Sequence, residues 1–234
     1  KGETVPVSGV VTVPEGEAPE GGWPVVSWGH GTTGMADDCA PSRSQVDQTT
    51  GVYTSVMDEV TTGLVEQGYA VVRTDYEGLG TPGPHPYLMG RSAGASMADI
   101  VLAARELEPD LSTRWVAMGH SQGAHAALFT GEFTGAYTPG LDLEAIVALA
   151  PPSQLGAVVG LLDEPEESTT DGPRVEDSTS SSVFLGPLVV SGARVAGVPV
   201  EDVVSEEGQK HLPDLERRCI AELQGKDSLG GIAP

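Results

Sequence analysis

The sequence predicts an α/β fold in which a mostly parallel sheet is flanked by helices. Short apolar runs typical of buried strands alternate with longer stretches in which apolar residues recur at helical spacing. This alternation is typical of parallel sheets that are covered on both faces. A further observation is the pentapeptide Gly119–Gly123, a Gly-x-Ser-x-Gly sequence between an apolar run and a helix-compatible run. These observations predict a sheet whose strand ends carry the functional groups.

The first half of the chain supplies strands and a helix in alternation. Alternating valines predict an edge strand within residues 5–13, and Pro24–Trp28 predicts a buried strand. Apolar residues at helical spacing predict a helix over Tyr53–Gln67, with Gly68 at its C-terminal end. Ala70–Thr74 is predicted to be the next buried strand. This order of elements fits the predicted sheet.

The middle of the chain continues the pattern. Ser92–Leu107 predicts a helix, Trp115–Met118 a strand that leads into the pentapeptide, and Ala145–Leu149 a further strand. Glycine-rich turns, at His30–Gly34 and Glu77–Gly80, follow two of the predicted strands. Because the carboxyl ends of parallel strands meet at one edge of a sheet, we expect these turns and the pentapeptide serine to lie together.

The last third of the sequence has a different character. Asp163–Ser182 is acidic and rich in serine and threonine, which predicts a loop or mobile segment. Val183–Ala196 and Val200–Leu223 have partly helical patterns with solvated charges and no strong strand signal. We therefore predict an N-terminal part of an α/β core over residues 1–152 and a mostly helical cap or lid over residues 153–234.

The composition argues against several kinds of partner. The 234 residues include 34 acidic and 12 basic side chains, and the net charge of −22 makes an anionic nucleic acid a poor partner. We attribute this charge to solubility. No apolar stretch approaches the roughly 18–20 residues of a membrane span. The sequence begins at Lys1 without a charged and then apolar leader, so we expect that any secretion signal was removed or never existed.

The pentapeptide predicts a serine nucleophile at Ser121. A turn between a strand and a helix forces the serine backbone toward positive φ, and glycines flank the serine because side chains there would clash. Such a turn presents the hydroxyl beside a helix N-terminus, whose free N–H groups can face an oxyanion. The alternative is an ordinary glycine-rich turn, since Gly-x-Ser-x-Gly alone is a common sequence.

Two backbone N–H groups are predicted to stabilise the oxyanion. One is the N–H of Gln122, the residue that follows the predicted nucleophile. The second is expected from the loop His30–Thr33, because that loop follows the predicted strand Pro24–Trp28 at the same edge of the sheet. The alternative is that this loop is a flexible turn with no catalytic role.

The sequence offers no convincing base or acid for the serine. In α/β enzymes with this pentapeptide the order is serine, then Asp or Glu, then histidine, each at a later strand end. Among five histidines, only His211 lies far enough downstream of Ser121, and it falls in a charged, helical stretch with no strand before it. The apolar run Pro187–Gly192 looks like a strand that would carry the acid, but no aspartate follows it within the next few residues. We therefore interpret this run as part of a helix.

Cys39 and Cys219 are the two cysteines of the chain. Two thiols so far apart in sequence do not predict a metal site. From the residues alone they are either two buried free thiols or one long-range disulfide.

Several segments resemble the secretory lipase family, the lipase A type of yeasts and actinobacteria in the α/β-hydrolase superfamily. They occur in the family's order and spacing and cover most of residues 1–152, whereas the resemblance after Pro152 is weaker. The matching segments are Ser27–Gly34, Asp38–Ser42, Asp75–Gly80, Thr81–Arg91 and Gly119–Gly123. The resemblance implies an α/β-hydrolase fold with a helical cap.

The resemblance also implies roles for individual residues. The pentapeptide serine is implied to be the nucleophile, with oxyanion donors on Gln122 and Thr33 and with Thr32 as a near alternative. A disulfide between Cys39 and Cys219 is implied as well, which fits a secreted protein.

The resemblance implies that the triad Asp and His lie outside this sequence. Members of the family continue past the cap into two further strands that carry the triad Asp and His, and this sequence ends at Pro234 before them. We expect either a second, C-terminal fragment of the same protein docked on this chain or a downstream part that these residues do not represent.

The predicted function is that of a secreted serine ester hydrolase, a lipase or carboxylesterase. It would cleave acylglycerols or other short- to medium-chain esters through an acyl-enzyme on Ser121, without a cofactor or a metal. One alternative is a peptidase or acyltransferase on the same fold. Another is a non-catalytic binding module, which the lack of a base would suggest.

Overall fold

The structure is a computed structural model that describes residues 4–43, 51–156 and 181–231. The strands are β1 (Gly9–Thr12), β2 (Trp23–Gly29), β3 (Ala70–Thr74), β4 (Leu111–His120) and β5 (Asp142–Leu149). The α-helices are α1 (Gly51–Glu66), α2 (Gly90–Leu107), α3 (Gln122–Tyr137), α4 (Ser181–Ala196), α5 (Glu206–Leu215) and α6 (Ile220–Leu223). Short 3-10 helices are found at Asp37–Cys39, Val200–Asp202 and Leu229–Gly231.

The described strands form one five-stranded sheet in the order β1-β3-β2-β4-β5. Strand β1 pairs antiparallel with β3, and the other neighbouring strands are parallel. Gly29 at the end of β2 pairs with Thr74 of β3 and with Gly119 of β4, so the carboxyl ends of these three strands lie side by side. The prediction of a mostly parallel sheet flanked by helices is confirmed.

The predicted edge strand is present as β1, but it is shorter than the valine pattern suggests. Val5 and Val7 precede β1, and each is 39% exposed. The reason is the length of the neighbouring strand, because Gly9 already pairs with Thr74, the last residue of β3. Residues before Gly9 therefore have no strand beside them in the described sheet.

Helices cover both faces of the sheet. The helices α2 and α3 pack on one face in a cluster that includes Met97, Val101, Ala126, Val25 and Trp115. Helix α1 packs on the opposite face in a cluster that includes Met57, Val60, Leu64, Val26 and Trp28. Val25 and Val26 fall in different clusters because successive strand residues point to opposite faces. Burial on both faces explains why these strands are continuously apolar.

The helices α4, α5 and α6 pack against loops at the carboxyl ends of the strands. Their shared apolar cluster includes Val183, Val190, Leu215 and Leu223, together with Leu229 of the last 3-10 helix. Three residues from the loops after β2 and β3 belong to the same cluster, namely Met35, Tyr87 and Leu88. The run Pro187–Gly192 lies inside α4, so its interpretation as helix is confirmed.

Two statements about the later part of the chain remain predictions. The predicted loop Asp163–Ser182 falls outside the described residues except at its end, where Ser181 and Ser182 begin α4. The division into regions 1–152 and 153–234 also stays a prediction. None of the helices in the described ranges is long and apolar enough to cross a membrane.

Candidate active site

Ser121 lies between β4 and α3 with its backbone at positive φ. Its φ is 53° and its ψ is −116°, which confirms the backbone conformation predicted from the pentapeptide. Such a conformation costs a residue other than glycine about 1–3 kcal/mol, so the surroundings must impose it. The Ser121 N–H donates to the carbonyl of Leu149 at the end of β5 (2.9 Å), and its carbonyl accepts from the His125 N–H (3.1 Å). Strand β5 and helix α3 therefore hold the turn in place.

The glycines of the pentapeptide allow three backbone segments to touch. A Cβ atom on Gly123 would lie 1.8 Å from the carbonyl oxygen of Gly29, and one on Gly119 would lie 2.3 Å from the carbonyl of Gly123. Helix α3 thus begins in direct contact with the ends of β2 and β4. This contact explains why the positions flanking Ser121 require glycine.

We expect Gly123→Ala to destabilise the protein by about 3 kcal/mol or more, because the new methyl group overlaps the Gly29 carbonyl. Gly135 in the same helix is a matched control, since nothing lies within 4 Å of a Cβ atom placed there. Gly135→Ala should leave stability unchanged or raise it by up to about 1 kcal/mol. Urea unfolding of both variants measures this difference, and equal stability of the two would contradict the close packing.

Hydrogen bonds and a β-bridge hold the loop after β2 at several points. The Gly31 N–H donates to the Tyr53 hydroxyl (2.5 Å), and the Thr33 carbonyl accepts from the Ile220 N–H (2.8 Å). Gly34 pairs with the residue before Ile220 in an isolated antiparallel bridge. Helix α1 and the start of α6 therefore fix the backbone of this loop.

Gln122 and Thr33, the two predicted oxyanion donors, have N–H groups for which the described residues provide no acceptor. The Gln122 N–H is free because it belongs to the first turn of a helix. Thr33 is 0% exposed, and a buried N–H without an acceptor is rare in proteins. Thr32, the near alternative, is partly exposed, and its hydroxyl lies 2.8 Å from the Tyr87 hydroxyl. All of these groups lie at the adjacent ends of β2 and β4.

No hydrogen bond among the described residues joins the Ser121 hydroxyl to a histidine. His30 directs Nδ1 to the Gly31 carbonyl at 2.6 Å, and burial lowers the pKa of its imidazole. His120, next to the serine, places Nδ1 3.3 Å from the Tyr53 hydroxyl. Both histidines are thus engaged with the loop after β2 or with helix α1.

The histidines of α3 and α5 are engaged elsewhere. His125 packs on Phe129 with 4.6 Å between the ring centroids, and burial lowers the pKa of His125. In α5, His211 Nδ1 lies 3.2 Å from the Asp214 carboxylate, which also accepts a hydrogen bond from the Ser228 hydroxyl (2.7 Å). The structure does not bring His211 to Ser121 through any described contact.

Asp75 joins two of the segments that carry the family resemblance, a role that the sequence did not reveal. Its buried carboxylate accepts hydrogen bonds from the Ser42 N–H (2.9 Å), the Ser42 hydroxyl and the Ser8 hydroxyl (2.6 Å). The segment around Cys39 is thereby attached to the end of β3. The position of Asp75 directly after β3 places it at the functional edge, but nothing in the sequence identifies its partners.

His85 contacts the side chain of a predicted oxyanion donor, which the sequence also did not reveal. His85 is 2% exposed, and its Nε2 lies 2.9 Å from the side-chain Nε2 of Gln122. Its Nδ1 lies 2.7 Å from the carbonyl oxygen of Glu77. Burial lowers the pKa of His85 to about 4. No sequence signal connects His85 with Gln122, because they are 37 positions apart on different elements.

Cys39 and Cys219 form the disulfide that the resemblance implies, with their Cα atoms 5.4 Å apart. The alternative of two free thiols does not apply. Both cysteines are buried, and Cys219 is the partner of Gly34 in the antiparallel bridge. The disulfide therefore links the loop after β2 with the start of α6.

A cavity of about 700 Å³ lies between the strand-end loops and the helices α4 and α5. Its lining includes the apolar residues Met35, Pro84, Val190, Leu212 and Leu215 and the charged residues Asp37, Arg194 and Glu216. Within the described ranges, no group of three or more His, Cys, Asp or Glu residues could hold a metal ion. The cavity can accommodate an apolar ligand of moderate size.

Several solved structures with a similar fold are described as a hydrolase, a lipase or an esterase. A putative hydrolase from Legionella pneumophila superposes with a TM-score of 0.70 at 20% identity, covering 97% of this chain and 56% of that one. Lipase A from Candida antarctica gives a TM-score of 0.63 at 20% identity, covering 89% of this chain and 46% of that one. The rice cell wall degrading esterase LipA from Xanthomonas oryzae gives a TM-score of 0.61 at 24% identity, covering 93% of this chain and 56% of that one.

These similarities establish the fold, which is that of the α/β-hydrolases. The chain spans about half the length of the solved structures it matches. No curated protein matches the sequence significantly. The model of the family described as "Secretory lipase" matches residues 43–169, which is more than half of the chain. The chain belongs to the secretory lipase family.

Proposed function

We propose that this chain carries the nucleophile of a serine ester hydrolase, a lipase or carboxylesterase. The observation that supports the proposal most directly is Ser121 at positive φ between β4 and α3, followed by the free N–H of Gln122. Membership of the secretory lipase family favours esters as substrates. The proposed substrates are acylglycerols or other short- to medium-chain esters.

In the proposed mechanism the Ser121 hydroxyl attacks the ester carbonyl and loses its proton to a base. The N–H groups of Gln122 and Thr33, or of Thr32 as the alternative, donate hydrogen bonds to the oxyanion of the tetrahedral intermediate. The alcohol leaves, an acyl-enzyme forms on Ser121, and water then releases the acid. Each donor is worth about 10²–10³ in rate in well-studied enzymes, so their placement matters greatly.

The base and its acid are proposed to come from a segment outside these 234 residues. One supporting observation is that the described histidines have partners other than the Ser121 hydroxyl. Another is that β5 lies at the edge of the described sheet, where Ile146 is 39% and Leu149 is 42% exposed. Further strands could pair with this edge and bring an aspartate and a histidine to the carboxyl end of the sheet.

The helices α4, α5 and α6 are proposed to act as a cap that shapes the acyl pocket. Apolar side chains of α4 and α5, namely Val190, Leu212 and Leu215, line the cavity of about 700 Å³ near the strand-end loops. Secretion is also proposed, because the chain contains a disulfide and belongs to a family described as secretory.

Labelling with a fluorophosphonate tests the proposal, since this reagent modifies activated serines. We expect one label on the tryptic peptide that contains Ser121, together with hydrolysis of butyrate and longer esters by the full-length protein. Cleavage of peptide substrates in place of esters would favour a peptidase, and acyl transfer to added alcohols an acyltransferase. A protein that neither labels nor turns over any of these substrates is a binding module, and the proposal is then wrong.

A further inference from the structure

We propose that His85 and Tyr87 are positioning residues through which helix α4 sets the geometry of the oxyanion donors. This inference rests on the function proposed above. It concerns the segment His85–Tyr87, which contacts a side chain on each side of the oxyanion site and is itself held by Ser191 of α4.

The protonation of His85 is defined by its two partners. The Glu77 carbonyl can only accept a hydrogen bond, so the Nδ1 of His85, 2.7 Å away, carries the proton. In the neutral ring Nε2 is then an acceptor, and the Gln122 side-chain amide donates to it at 2.9 Å. Because burial lowers the pKa of His85 to about 4, the ring stays neutral at pH 7 and keeps this acceptor.

His85 is the described partner that fixes the carboxamide of Gln122. Gln122 is 1% exposed, and its side-chain Oε1 has no hydrogen-bond partner within the described part of the chain. The carboxamide is therefore oriented by the contact with His85. Gln122 is also the first residue of α3, so a fixed side chain limits rotation of the backbone N–H proposed to donate to the oxyanion.

Tyr87 makes the corresponding contact on the other side of the site. Its hydroxyl lies 2.8 Å from the Thr32 hydroxyl, in the loop that supplies the second proposed donor. Tyr87 is 3% exposed, and burial raises the pKa of its hydroxyl to about 12, so the group is a neutral phenol at pH 7. The two rings thus contact the start of α3 and the loop after β2, the two segments that carry the proposed oxyanion donors.

Ser191 holds this segment to α4 by two hydrogen bonds. Its hydroxyl accepts from the Tyr87 N–H (3.0 Å) and donates to the His85 carbonyl (3.2 Å). Ser191 is 1% exposed and is more than 100 positions away from both partners, since the separations are 104 and 106. A displacement of α4 would therefore move His85 and Tyr87 together, and with them the contacts to Gln122 and Thr32.

A pair of His85 variants tests the contact with Gln122. His85→Asn places an amide donor near the Glu77 carbonyl but has no atom that reaches Gln122, whereas His85→Gln retains an acceptor that reaches it. In the full-length protein, we expect His85→Asn to lower kcat for p-nitrophenyl butyrate about 10- to 100-fold with little change in KM, because a small misplacement at a reacting centre has effects of this size. His85→Gln should recover most of the loss.

The link to α4 is tested by Ser191→Ala, with Ser228→Ala as the matched control. Both residues are 1% exposed and lie in the 181–231 region, but Ser228 donates to Asp214 and makes no described contact with the loops at the oxyanion site. We expect Ser191→Ala to lower kcat and the rate constant of fluorophosphonate labelling by at least about 5-fold. Ser228→Ala should lower the melting temperature without changing either rate.

The outcomes separate this inference from the proposed function. Suppose that the wild-type protein is labelled at Ser121 and hydrolyses esters, and that His85→Asn and Ser191→Ala retain the wild-type kcat and labelling rate. The proposed link from α4 to the oxyanion donors is then wrong, and the proposed function stands. Equal losses in His85→Asn and His85→Gln would also overturn it, because the contact with Gln122 would then be irrelevant. A wild-type protein that neither labels nor hydrolyses esters overturns both.

Discussion

Replacing Ser121 with alanine is expected to lower ester turnover by about 10⁴-fold or more, because the acyl-enzyme can no longer form. The loss should fall on kcat, since the Gln122 and Thr33 N–H groups remain available to bind the ester carbonyl. The same variant should not react with a fluorophosphonate. Steady-state kinetics of the full-length protein and intact mass after labelling check both expectations.

The fold should survive this substitution, and a second variant at the same position makes that measurable. Alanine at φ 53° retains the strain of a side chain at positive φ, whereas glycine adopts this conformation freely. Ser121→Gly should therefore be more stable than Ser121→Ala by about 1 kcal/mol, although both lack the nucleophile. If Ser121→Ala retained more than a few per cent of wild-type activity, Ser121 would not be the nucleophile.

Removing the disulfide by the double substitution Cys39→Ala and Cys219→Ala is expected to cost up to about 5 kcal/mol of unfolding free energy. The two cysteines are separated by 180 positions, and the entropy that a cross-link removes from the unfolded chain grows with loop length. The two substitutions also remove two buried sulfur atoms, which adds a small packing loss. Chemical unfolding of the double variant against the oxidised wild type measures the effect.

Removal of the disulfide should also lower the reactivity of Ser121 under conditions in which the protein is still folded. The disulfide lies beside the bridge between Gly34 and Cys219, and the neighbouring Ile220 N–H holds the Thr33 carbonyl. Labelling of Ser121 should therefore slow in the double variant at temperatures where circular dichroism still reports a folded protein. A variant with a slightly lowered melting point and a wild-type labelling rate would show that the bridge and the α6 contact suffice without the disulfide.

The sequence alone was sufficient to predict the structural elements that depend on local patterns of residues. Ala70–Thr74 is an apolar run of strand length, and it is β3 with the predicted bounds. Pro187–Gly192 has the composition of a strand, yet the lack of an aspartate within the next few residues favoured a helix, which α4 confirms. The positive φ of Ser121 also followed from local sequence, because glycine flanks it on both sides at the required spacing.

The contacts that organise the site did not follow from the sequence, because they join distant residues through single polar atoms. Asp75 binds Ser8 and Ser42, which are 67 and 33 positions away. The contact of His85 with Gln122 likewise depends on how the loop after β3 folds back over the sheet edge. Periodicity describes which face of an element is buried, but it does not specify partners of this kind.

Changes in substrate preference must arise away from the pentapeptide. At Gly29, Gly119 and Gly123 backbone meets backbone, so no side chain can be introduced there to reshape the site. Arg194 of α4 and Leu212 of α5 line the cavity without being fully buried, so their side chains can change in size or polarity while the serine turn stays the same. Directed evolution toward new acyl chains should therefore accumulate substitutions in these helices.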